Sequence, residues 1–123
     1  MPYLTDRKRA VGAGASGSGT EHHWKMTLSS VAMLFLVPLF VVTFGNALGR
    51  DYAGVLAYYQ RPVPAAIALL TFLVGFLHFR GGAQTMIEDY VGGTARKVAI
   101  MLMVCLAYGL AAIGALSVIR LAL

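Results

Sequence analysis

Polar and apolar positions along this chain fall into blocks instead of alternating. Three apolar stretches, near 27–48, 64–89 and 97–120, are separated by short polar segments. About 30 Å of hydrocarbon takes roughly 20 helical residues to cross, and each stretch is long enough. Inside a bilayer the backbone must satisfy its own hydrogen bonds, so such stretches become helices. The pattern predicts an all-α integral membrane protein with three transmembrane helices. No room is left for a soluble domain, and residues 1–123 read as one membrane domain.

The interruptions have their own logic. Pro38 sits inside the first stretch, where it removes one backbone bond and is tolerated if neighbours compensate. Pro62 and Pro64 open the second helix, where a first-turn proline is favourable. Between them Tyr52, Tyr58 and Tyr59 suggest an aromatic belt or a short interfacial helix. Ala107, Ala111 and Ala115, with Gly114 beside them, give the third helix a small-residue face for close packing. Residues 1–24 form a polar segment whose Gly12–Thr20 portion is rich in glycine and serine and lacks the apolar core of a signal peptide. It reads as a flexible tail or a strap that orders on a partner. His22, His23 and Trp24 follow at the depth an interface would have.

Composition supports the membrane reading. Hydrophobic residues make up 59% and charged residues 12%, against about a quarter charged in a soluble domain. Mean hydropathy is +0.73. The net charge of +5 does not form a nucleic-acid stripe, because the cations sit at membrane edges. Arg7, Lys8, Arg9, Lys25, Arg80, Arg96 and Lys97 lie on one side, against Arg50, Arg61 and Arg120 on the other. The positive-inside rule then places the amino terminus and the loop after the second helix in the cytoplasm. Cys105 has no second cysteine to pair with and reads as a small packing residue.

Candidate chemistry lies on the second helix. Thr71, Gly75, His78, Gly82, Thr85 and Asp89 recur in steps of three and four, the spacing of one helix face. All are small or polar, so something flat or another helix should lie against the stripe. An ionisable residue inside a membrane is a functional candidate, and imidazole is a common iron ligand. Two readings of His78 stand at this point, a satisfied packing residue and an axial ligand with Gly75 and Gly82 clearing room for a macrocycle. A single histidine would fill one axial position, the other coming from another chain or from solvent. Asp89 lies about 16 Å of helix rise beyond His78, next to Tyr90. A phenol and a carboxylate there could serve a quinone headgroup, donating to a carbonyl and relaying protons, or could simply be an interfacial tyrosine and a helix-ending acid. Arg80 could snorkel to the surface or pair with a propionate or phosphate. Glu88 reads as facing water or a partner's basic residue.

The run His78, Gly82, Gln84, Ile87, Glu88, Asp89, Tyr90, Val91 resembles the second helix of the succinate dehydrogenase hydrophobic membrane anchor, a cytochrome b-type component of complex II. The alphaproteobacterial and mitochondrial-like branch is most similar. The diagnostic part is short, but size, three spans and an inward amino terminus extend the resemblance over the whole chain. It implies that His78 is an axial ligand to the iron of haem b, shared with a second, companion anchor in a common haem-binding bundle. It implies that Tyr90 hydrogen-bonds ubiquinone, supported by Asp89. It further implies docking of the iron-sulfur and flavoprotein subunits at a bacterial cytoplasmic membrane, with no catalytic residue in this chain itself and no nucleic-acid partner. The chain departs from the family where an arginine is expected near the quinone site, since His22-His23-Trp24-Lys25-Met26-Thr27 offers only Lys25, which lacks the planar fork. A small transporter or channel component, or a non-redox scaffold, is the alternative.

Overall fold

The computed structural model describes residues 5–12 and 19–123. Most of the Gly-rich part of the amino-terminal segment therefore lies outside the described residues. Five helices are formed: α1 (Asp6–Val11), α2 (Gly19–Ala47), α3 (Tyr52–Tyr59), α4 (Pro62–Tyr90) and α5 (Gly93–Ala122). Three of them, α2, α4 and α5, are long and apolar enough to cross a membrane. With 29, 29 and 30 residues, each is about 44 Å long. That exceeds the roughly 30 Å of hydrocarbon, so each helix runs on into the headgroup layer.

The overhang explains why these helices are longer than their apolar stretches. Helix α2 begins at Gly19, with Glu21 and Lys25 on its first turns joined by an ion pair of 2.6 Å. Helix α5 carries Arg96 and Lys97 in its opening turn. Hydropathy marks where the membrane begins, whereas intrahelical hydrogen bonds continue outside it. Helix α2 runs unbroken through Pro38. Helix α4 starts at Pro62, and Pro64, in its first turn, is buried.

Helix α4 is the middle of the molecule. It packs against α2 on one side and α5 on the other, and among the described residues the α2 and α5 backbones do not approach each other closely. The result is a single row of helices with two broad faces. The α4–α5 seam is built on small residues: Met103, Ala107, Ala111 and Val118 are buried, and Gly114 lies under the ring of Phe72. Ala115, expected in this stripe, is only half-buried, because the close approach follows 107, 111, 114 and 118.

The best-packed region lies at the end of the row that holds α3. Asp51 caps that helix, its Oδ1 accepting from the Gly54 N–H at 2.9 Å. Ala47, Tyr58, Tyr59, Ala68 and Val118 form the core there, with Phe40 and Phe72 against it. The two tyrosine rings meet edge to face at 5.3 Å, and the Arg50 guanidinium sits 4.9 Å above the Tyr58 ring. Burial, with a smaller contribution from Tyr58, pushes the Tyr59 phenol up from its ordinary value. Only Tyr52 of this trio is exposed. The segment is thus a packed cap across the helix ends and not a loose aromatic belt.

Candidate functional site

From the α3 end toward the opposite one, α2 and α4 run antiparallel and touch through a ladder of side chains. Phe40 meets Phe72 edge to face at 6.2 Å, and the Met33 side chain lies against Gly75. One step further, Ser29 Oγ is 2.9 Å from His78 Nδ1. The Met26 sulfur occupies the place a Gly81 Cβ would take, and its methyl lies beside Gly82. Last, Thr85 Oγ1 is 3.4 Å from His22 Nε2. The glycines explain the register, since a side chain at 81 would have to displace Met26. The recessed stripe of α4 is therefore covered by another helix. On the side facing α2, Met33 and Met26 lie in contact with Gly75 and Gly82, while Gly75 also lines a smaller cavity of about 280 Å³ with Thr71, Phe72, Phe76 and Phe79.

His78 is half-buried in this seam. Its Nδ1 is anchored to Ser29, while among the described residues its Nε2 has no hydrogen-bond partner. Ser29 also donates to the Met26 carbonyl at 2.9 Å. Ser29 was not legible as a site residue, because its bond to His78 bridges 49 positions of sequence and depends on helix register.

A cavity of about 610 Å³ opens between α2 and α4, with Lys25, Ser29, Leu77, Arg80, Gly81 and Gln84 among its walls; His78 does not line it, but its partner Ser29 does. Its lining combines apolar surface with two cations. Arg80 does not snorkel freely outward: it is half-buried, its guanidinium lies 5.5 Å over the Tyr108 ring of α5, and its Nε is buried without a partner. Lys25 is held by Glu21. Among the described residues, no three His, Cys, Asp or Glu side chains converge.

Asp89 and Tyr90 lie at the last turn of α4, both exposed, Tyr90 to 86%. Neither has a side-chain hydrogen bond among the described residues. The structure places them beside each other but along the helix from His78, not around one pocket with it. Glu88 accepts from Gln84 Nε2 at 2.8 Å. Just past Tyr90 the chain reverses through Val91 and Gly92, with Gly93 at φ +63°, a left-handed conformation that glycine adopts without strain. Arg96 Nε donates to the Val91 carbonyl at 2.6 Å, pinning this turn beside the acid and the phenol.

Three apolar helices in an open row, with a histidine and two cations at one end and wide exposed apolar faces, define a small multi-pass membrane protein. The comparisons with known proteins agree. Residues 1–116 match the family described as succinate dehydrogenase/fumarate reductase transmembrane subunit. The chain is also 42% identical to the succinate dehydrogenase hydrophobic membrane anchor subunit of Paracoccus denitrificans, over 100% of this chain and 95% of that relative. No solved structure matches. The chain belongs to the succinate dehydrogenase/fumarate reductase transmembrane subunit family and is an integral, multi-pass anchor of the inner membrane. This membership decides for the anchor over the transporter or channel alternative.

Proposed function

We propose that this chain forms half of a haem-binding, quinone-reducing membrane anchor, with His78 as one axial ligand to haem b and Tyr90 and Asp89 as its contribution to the ubiquinone site. The observation that carries the reading is the hydrogen bond at His78. An iron-ligating imidazole uses one nitrogen for the metal and gives the other to a fixed partner, and His78 has Nδ1 engaged and Nε2 without a partner among the described residues. The donor set fits the group in a second way. A haem carries two carboxylates on an apolar macrocycle, and the neighbouring cavity joins apolar walls to Lys25 and Arg80, of which Arg80 has a buried Nε in need of an acceptor. Arginine is suited to carboxylates by its planar fork.

When bound, haem b supplies a one-electron carrier within the membrane. This chain's residues would do the rest of its share. His78 would hold the haem iron from this side, and the companion anchor would supply the other protein ligand. The Tyr90 hydroxyl donates to a carbonyl oxygen of ubiquinone, and Asp89, adjacent on the same exposed turn, orients that donor and accepts or passes protons. Reduction of the quinone takes up two electrons and two protons, so a titratable group near bulk water serves it better than one at the membrane centre. The electrons would come from succinate, oxidised by a flavoprotein and relayed by an iron-sulfur protein, both docked on the cytoplasmic side. The cations at the Tyr90 end support that orientation.

Replacing His78 by alanine in the purified complex tests the ligand. The expected result is loss of the b-type signal in the reduced-minus-oxidised spectrum with the subunits still assembled. An unaltered haem content in H78A would remove His78 from the coordination sphere.

A further inference from the structure

Ser29 is the fixed partner of His78 Nδ1, and its own chemistry decides what that bond does to the imidazole. Its Oγ is 2.9 Å from His78 Nδ1 and 2.9 Å from the Met26 carbonyl oxygen. A hydroxyl has one proton to give and two lone pairs to receive with. The carbonyl can only accept, and a Ser29 proton given to it leaves the lone pairs of the oxygen for the imidazole. In that arrangement His78 carries its proton on Nδ1, which leaves the lone pair on Nε2. That is the tautomer an Nε2 metal ligand needs. Among the described residues, no other acceptor lies within hydrogen-bond distance of Nδ1.

We infer that Ser29 is a positioning residue for His78, fixing its tautomer and ring orientation so that Nε2 is presented to a metal. This inference rests on the ligand role proposed for His78. The backbone supports it independently. Ser29 is placed by the same α2–α4 ladder in which Met26 fills the notch at Gly81, so the hydroxyl is held by helix register and not by a mobile loop. Ser30, the next residue, also donates to the Met26 carbonyl, at 2.8 Å, but it is exposed and makes no hydrogen bond to His78. The sequence thus contains its own control.

A partner that accepts from the distal imidazole nitrogen makes the ligand more basic, which favours the ferric over the ferrous state. In the intact complex, Ser29→Ala should weaken haem binding by about 10–100-fold, the usual effect of losing such a partner, and should raise the midpoint potential of the haem that remains. Ser29→Thr keeps a hydroxyl and should restore both properties, and Ser30→Ala should match wild type. The potential is the deciding readout, because a packing defect alone would lower occupancy without this directed shift. If H78A loses haem while S29A keeps wild-type affinity and potential, the inference on Ser29 is overturned and the ligand role stands. A Ser29→Thr variant that behaves like S29A would also overturn it, since the hydroxyl would then be irrelevant. An H78A complex with full haem content would overturn the ligand role and the inference together.

Discussion

At the scale of single residues, Tyr90 is the clearest case of a side chain whose surroundings invite a partner. A tyrosine buried within a protein normally finds an acceptor for its hydroxyl; this one stands 86% exposed at a helix end, next to a carboxylate equally free of hydrogen bonds among the described residues. Tyr90→Phe removes one hydroxyl and little else, so the fold should be untouched. If the phenol binds quinone, succinate–quinone reductase activity should fall about tenfold or more, the span of a general acid–base or hydrogen-bonding contribution. Succinate oxidation with an artificial soluble acceptor should stay at the wild-type rate. Equal losses in the two assays would move Tyr90 from the quinone site to the docking of the soluble dehydrogenase. The stripe from Thr71 to Asp89 was legible in the sequence because helical spacing is a local property. Which of its members meet a partner was not. The bond between His78 and Ser29, and the stacking of Arg80 on Tyr108, depend on how helices far apart in sequence are registered, and no periodicity encodes that.

Registration is decided at the scale of the helices, by glycines. Along the α4–α5 seam a Cβ on Gly114 would come within 2.9 Å of Phe72 Cδ1 and 3.1 Å of its Cγ. The ring has little freedom to yield. It stacks on Phe76 at 6.3 Å and meets Phe40 edge-on at 6.2 Å. Gly114→Ala should therefore destabilise the helix pair by about 1–3 kcal/mol, the usual range for an added methyl in a filled site. Gly109→Ala, on the same helix with nothing within 4 Å of its Cβ position, should not. The difference between the two unfolding midpoints in mixed micelles checks this, and equal midpoints would mean that the seam lies elsewhere. The alternative notch, at Gly81, is more forgiving, because what fills it is the end of a flexible methionine. The small-residue face of α5 could be seen in the sequence through Ala107, Ala111 and Ala115 with Gly114 beside them, although Ala115 is only half-buried. Met103 and Val118 complete that seam but are ordinary large apolar residues, indistinguishable by type from the exposed Leu102 and Ile119. Helices α2 and α5 begin earlier than the apolar stretches near 27 and 97, since Lys25, Arg96 and Lys97 leave the hydrocarbon without leaving the helix.

The whole molecule is an open row with little interior, and this form explains why its chemistry was only half readable. Ala68 and Ala107, its most buried core side chains at 2% exposure each, belong to seams. Large apolar side chains such as Leu34, Phe35 and Val42 of α2 are exposed, as befits surfaces that face lipid or other subunits. A site shared with another chain leaves only its own half in any one sequence. The row also has direction. Asp89, Tyr90, Arg96 and Lys97 stand at one end, and α3 with Tyr52 at the other. On the proposed function, electron supply from a soluble dehydrogenase in the cytoplasm would have the Tyr90 end face inward, the side on which lysine and arginine concentrate. In a Cys105→Ala background, a cysteine replacing Tyr52, 79% exposed on α3, should react with a membrane-impermeant maleimide added to intact spheroplasts. A cysteine replacing Lys97 should react only after the membrane is opened. The reverse labelling pattern would place Tyr90 on the outer face, out of reach of any cytoplasmic dehydrogenase. It would thereby sink the proposed quinone site while leaving the family membership intact.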